Sequence, residues 1–105
     1  MAKFVFAYTG GGGMADSPAE QQKVMEAWMN WFGTLGDSVV DGGAPFGPTA
    51  SIAPDGSVKE GAASHLTGYS IVSADSLAEA TTKAKGCPVL SSGGSVEVYE
   101  ALPMG

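Results

Sequence analysis

Two spacings of apolar residues organise this chain. Between Ser17 and Leu35 they recur at helical period. Val24, Trp28, Trp31, Phe32 and Leu35 stand at i, i+4, i+7, i+8 and i+11, and Met25 and Met29 widen the stripe. Gln21, Gln22, Glu26 and Asn30 lie largely off it. Ser17-Pro18-Ala19-Glu20 puts a hydroxyl at the N-cap, proline at N1 and a carboxylate at N3, which predicts the helix start; Asp16 is the other candidate cap. Gly36 is the expected left-handed stop.

Elsewhere the apolar runs are continuous or alternate. Lys3 to Thr9, KFVFAYT, predicts a strand buried on both faces, or on one face and at an interface. Leu66 to Ser73, LTGYSIVS, predicts another, and Ser95 to Ala101, SVEVYEA, a strand with one wet face. Ser38 to Asp41 reads as a short strand turned by Gly42-Gly43, and Ala44 to Pro48 as neither regular helix nor central strand. Thr49 to Ala53 and Ser57 to Glu60 flank Pro54-Asp55-Gly56, a hairpin pattern. Ser76-Leu77-Ala78-Glu79 opens a second helix that runs to about Lys85 and stops at Gly86, with a thin stripe of Leu77, Ala80 and Ala84. Cys87-Pro88 leaves it.

The order is strand, helix, strand, hairpin, strand, helix, strand. That is β-α-β-β-α-β with a hairpin inserted between its central strands. It predicts an α+β fold, a ferredoxin-like sandwich with both helices on one face of an antiparallel sheet. Residues 1–105 are expected to form one domain.

Charge narrows the function classes. Five lysines, no arginine and eleven carboxylates give a net charge of −6. Nucleic-acid binding needs clustered Lys and Arg, and an anionic membrane surface attracts the same groups, so neither partner is expected. No stretch approaches the roughly 18 apolar residues of a membrane span, and the N-terminal apolar run is too short for a secretory leader. Cys87 is the single cysteine, so no intramolecular disulfide can form. A cytoplasmic location is expected.

Candidate chemistry is sparse. Gly10 to Gly13 stands between a strand and a helix, as phosphate loops do, but lacks the Gly-Lys-Ser/Thr ending, and no basic residue follows until Lys23. A flexible lid or a simple connector is expected. Cys87 follows a helix C-terminus, where the dipole disfavours a thiolate, so it reads as a small buried residue. No cluster has metal-ligand spacing, and no cofactor is expected. Trp28, Trp31 and Phe32 are candidates for core or for lining an apolar pocket. His65 is the one histidine and thus the one candidate general base, with Asp41 as its candidate orienting partner.

Gly68-Tyr69, Asp75-Ser76, Cys87-Pro88 and the closing Gly93-Gly94-Ser95-Val96-Glu97-Val98 resemble the YCII-related family, also called DGPF-domain proteins. The Asp41-Gly42-Gly43-Ala44-Pro45-Phe46-Gly47 stretch resembles that family's glycine-proline turn. Of the DGPF tetrapeptide only Asp55-Gly56 is kept. The resemblance implies a dimeric α+β barrel with a pocket between sheet and first helix, its rim near Asp41 to Gly47. Trp28, Trp31, Phe46 and Tyr69 are the candidate ligand-binding residues. Some family members carry a His–Asp pair with the histidine on the first helix; here the only histidine is His65. Three readings follow. The first is a homodimer that holds a small molecule. The second is an enzyme using His65 and Asp41 on a small organic substrate. The third is a structural or accessory protein without a ligand.

Overall fold

The computed structural model describes residues 2–10 and 18–103; the Ser17 cap and Gly11 to Gly13 lie outside them. In chain order the elements are β1 (Ala2–Thr9), α1 (Pro18–Leu35), β2 (Val39–Pro45), β3 (Ala50–Ile52), β4 (Val58–Glu60), β5 (Leu66–Ala74), α2 (Leu77–Ala84), α3 (Pro88–Ser91) and β6 (Ser95–Ala101). The fold is α+β. A four-stranded sheet runs β2-β5-β1-β6 with every neighbouring pair antiparallel.

Strand alternation sorts the sheet's two faces. Phe4, Phe6 and Tyr8 pair with Val72, Ser70 and Gly68 on β5, and all of them face the helices. Phe6 and Val72 are fully buried there, with Ala80 and Ala84 of α2 against them. These alanines let α2 lie close to the sheet. Its start is fixed by Ser76, whose Oγ accepts the Glu79 N–H at 3.1 Å. Its last turn is tied down by Lys83, which donates to Ser38 Oγ at 2.9 Å and to the Ser73 carbonyl at 3.2 Å. The opposite face carries Val5, Ala7, Ile71 and Tyr99 by the same register. No described helix covers it: the molecule is only 18 Å thick, room for the sheet and one helical layer.

Three expectations need correction. The Gly42-Gly43 turn is instead a bulged stretch of edge strand β2, with register shifts between Val39 and Asp41 and between Asp41 and Ala44. Asp41 Oδ1 accepts the Gly43 N–H at 2.8 Å and Gly43 sits at φ +77°, a local bend that only glycine adopts cheaply. Ala44 and Pro45 thereby join the sheet; an edge strand tolerates proline's missing N–H. Second, the chain after α2 does not go straight to β6. Cys87 is the N-cap of the short helix α3, with Pro88 in its first turn. Third, the stripe on α1 is not all core. Trp31 is buried, while Trp28, Phe32 and Leu35 are partly buried against the core. Val24, Met25 and Met29 remain 44, 65 and 69 % exposed.

The inserted hairpin is present as β3 and β4, closed by the Gly56 N–H on the Ala53 carbonyl at 2.8 Å. Asp55 Oδ1 accepts the Ser57 N–H at 2.9 Å, and this bond holds the Asp55 carboxyl below its usual range. Ile52 and Val58 face each other across it, both more than two-thirds exposed. The hairpin's hydrogen bonds stay within its own neighbourhood, from Thr49 to Ala62. Such a projecting arm fits a radius of gyration of 15.2 Å, against about 13 Å for a compact chain of this length.

Candidate functional site

The partly covered face of α1 and the small residues beneath it leave a groove of about 820 Å³. Its cause is readable residue by residue. The helix-facing positions of β5 are Gly68, Ser70, Val72 and Ala74. Val72 and Ala74 fill their space under α2, but Gly68 and Ser70 have too little side chain to reach α1. Trp28 and Phe32 therefore overhang the sheet rather than seal against it. Met25 and Met29 extend that wall, the β2 bulge from Gly42 to Pro45 forms the other, and Tyr8, Gly68 and Ser70 make the floor. A volume of this size lies within the range of small-molecule sites.

The walls are aromatic. Trp28 meets the Tyr8 ring edge-on at 5.2 Å and packs against Phe32 at 5.9 Å. The floor carries a hydrogen-bond chain: the Tyr8 hydroxyl donates to Ser70 Oγ at 2.8 Å, and Ser70 Oγ donates to the Gly42 carbonyl at 2.8 Å. Ser70 is a polar residue at 1 % exposure, satisfied at both ends.

Burial pushes the Tyr8 phenol well above its ordinary value, only partly offset by the bond to Ser70. Burial likewise pushes the neighbouring Cys87 thiol up to about 11. Both groups are held neutral, so neither is a nucleophile or base near neutral pH. The sign for stability follows. The unfolded chain releases these protons at lower pH than the folded one, so stability is flat to about pH 9 and falls above it. At pH 10.5 the thiol alone is expected to cost roughly 1–2 kcal/mol. Urea midpoints at pH 8, 9.5 and 10.5 should show the fall, and Cys87→Ala should reduce it to the part that Tyr8 contributes. A profile level to pH 10.5 would contradict the buried placement of both groups.

The candidate site residues separate. Trp28 and Tyr69 border the groove. Tyr69 pairs with Ala7, so its ring belongs by alternation to the uncovered face, where it stacks on Phe46 at 5.7 Å. Phe46 is not part of the lining. Trp31 lies behind Trp28, stacked on Phe6 at 6.1 Å with its indole N–H on the Lys83 carbonyl at 3.1 Å; it is core. Its outer edge borders a separate depression between α1 and α3 that includes Lys23, Ala27 and Ser92.

His65 and Asp41 are not brought together. Asp41 pairs with Ile71, whereas His65 precedes Leu66 at the far end of β5. Five residues of strand at roughly 3.3 Å each put about 16 Å between those ends. Asp41 serves the β2 bulge through the Gly43 N–H. His65 has φ 54° and donates its backbone N–H to the Ala62 carbonyl at 3.2 Å, so it is the turn residue that ends the hairpin insertion. Histidine is among the residues that tolerate this left-handed conformation.

Sequence reasoning missed Tyr8, Ser70, Met25 and Met29. The available signal was parity: Tyr8 ends the Phe4, Phe6, Tyr8 face of β1, and Gly68 and Ser70 are small residues on the matching face of β5. Among the described residues no group of three His, Cys, Asp or Glu could hold a metal ion, and no helix is long and apolar enough to cross a membrane. Compared with protein-family models, curated proteins and solved structures, the chain has no match.

Proposed function

We infer that this chain is a cytoplasmic homodimer of YCII-related type that binds a small apolar molecule in the groove between α1 and the sheet. The observation that carries this reading is a roughly 820 Å³ groove in which Met25 and Met29 stay exposed while Gly68 and Ser70 leave its floor open. A domain this small rarely leaves Met and Trp side chains over an empty floor without something to fill it. The strand order β2-β5-β1-β6, antiparallel throughout, supports the ferredoxin-like form of the α+β fold. The uncovered face with Val5, Ala7, Ile71 and Tyr99 supports pairing of two sheets, as in a dimeric α+β barrel. A lone buried thiol and an acidic surface suit a reducing, soluble compartment. The enzyme reading has no pair to work with, since His65 and Asp41 stand far apart along β5.

Titration with N-phenyl-1-naphthylamine, a neutral apolar fluorophore, tests the groove. Its emission should rise on binding, with about one probe per chain. Met29→Glu places a charge on the groove wall at an already exposed position, so it should weaken binding at least about tenfold without unfolding the protein. Absence of any emission change, or full binding by the Met29→Glu protein, would remove the reading. Sedimentation equilibrium at micromolar concentration should give twice the chain mass; a monomer mass would overturn the dimer.

A further inference from the structure

We propose that the groove selects a neutral, planar aromatic molecule that presents a hydrogen-bond donor, such as a phenol or an aromatic N–H, to the Tyr8 oxygen. This rests on the groove reading above and adds the class of ligand. The direction of the floor's hydrogen-bond chain decides it. The chain ends at the Gly42 carbonyl, which can only accept. Ser70 must therefore use its single proton on Gly42. Its oxygen is left to accept, and it does so from Tyr8. Tyr8 has then used its own proton, and its oxygen has two lone pairs, one facing the Cys87 thiol and one left for a ligand donor.

The other polar groups at the floor are committed in the same sense. Thr67 Oγ1 donates to the Tyr8 and Gly10 carbonyls at 3.2 and 3.3 Å. The Gly43 N–H is taken by Asp41 Oδ1. The hydroxyls of the floor thus offer acceptors and no donors. On the wall, Trp28 adds an indole N–H that can meet an acceptor on the same ligand.

Shape and charge complete the class. Trp28, Phe32 and Tyr8 give aromatic surfaces, and the Met25 and Met29 thioethers adapt to a ring edge. Among the described residues no charged side chain lines the groove, and the whole chain is at −6. A carboxylate ligand would lose its hydration and meet acceptors, so it is selected against. A ligand with a phenolic hydroxyl satisfies the Tyr8 oxygen, which otherwise loses water when an apolar molecule enters.

Three ligands of one scaffold make the test: 2-naphthol, 2-methoxynaphthalene and 2-naphthoate, measured by calorimetry. The naphthol should bind about tenfold tighter than the methyl ether and at least about tenfold tighter than the carboxylate. Tyr8→Phe should collapse the naphthol-to-ether ratio to about twofold or less. Ser70→Ala gives an independent reading, because it frees the Tyr8 proton and lets the phenol donate to the ether oxygen. The ratio should narrow there through a gain by the ether. Equal binding of naphthol and ether by the unmodified protein overturns the donor assignment and leaves the groove standing. Binding of 2-naphthoate as tight as or tighter than that of 2-naphthol overturns the neutral ligand class. Failure of all the neutral probes removes the groove reading itself.

Discussion

Trp31→Ala is expected to destabilise the protein by about 4 kcal/mol, more than any other single side-chain truncation in α1. Trp31 is the only buried side chain of that helix among the described residues. It stacks on Phe6, packs at 5.1 Å against Phe32 and meets Trp28 edge-on at 5.7 Å. Its indole N–H reaches the Lys83 carbonyl, so it also joins α1 to the last turn of α2. Gly86 leaves room for it: a Cβ at Gly86 would stand 3.1 Å from the indole. Removing the ring opens a cavity that neither the sheet nor α2 can close. For a domain with a total stability of roughly 5–15 kcal/mol, this is a large fraction. Trp31→Phe keeps most of the area but loses the bond to Lys83, and a cost of about 1.5–2.5 kcal/mol is expected. Trp28→Ala should cost less than Trp31→Ala, because Trp28 overhangs the groove. Urea unfolding at fixed protein concentration measures all three. A Trp31→Ala cost below about 2 kcal/mol, or a larger one at Trp28, would reverse the assignment of core and wall.

The contrast between the two tryptophans marks how far the sequence can be read. Periodicity places α1, dense apolar runs place β1 and β5, and alternation places β6, because those signals come from one element and one core. The Ser76 cap is legible for the same reason: its partner is three residues away. The β2 bulge is not. Gly42-Gly43 is ordinary turn chemistry, and only the neighbouring β5 makes it part of a strand. Proline chemistry keeps Pro45 out of a central strand, yet an edge position depends on the strand order. The helix α3 is a single turn, too short for any period to show.

The site is half legible. Trp28 stands out by its side chain, and Tyr69 borders the groove as well. Trp31 shares the same stripe but faces the core, since residues three apart on a helix point about 60° away from each other. Phe46 and the Tyr69 ring go to the other face through strand parity. The floor is harder, because it is made by what is missing. Gly68 and Ser70 look ordinary in LTGYSIVS until Tyr8 is set beside them by the β1–β5 register. The His65–Asp41 pair shows the reverse error. Both residue types suit acid–base chemistry, but type says nothing about separation, and β5 runs between them.

Gly43→Ala is the second large effect, and it tests the groove wall at its backbone. Gly43 has φ +77°, where an alanine costs roughly 1–2 kcal/mol by local strain alone. Space is the larger matter. A Cβ there would stand 1.7 Å from the Tyr69 carbonyl oxygen and 2.6 Å from its carbon. Those atoms are backbone of the central strand β5, so no rotamer change can relieve the contact. Either β2 moves off β5 or the fold is lost, and a cost above about 4 kcal/mol is expected. Gly36 supplies the control. It has φ +56°, and an added Cβ would meet nothing within 4 Å, so Gly36→Ala should cost only the strain, about 1 kcal/mol. Amide exchange should show the difference in place. In a Gly43→Ala protein that still folds, protection should be lost along β2 and at its β5 partners from Gly68 to Val72, while β1 and β6 keep theirs. Naphthylamine binding should fall with it, since the β2 bulge is one wall of the groove. If the two alanine variants lose equal stability, the close approach of Gly43 to Tyr69 is wrong, and with it the wall that the bulge provides.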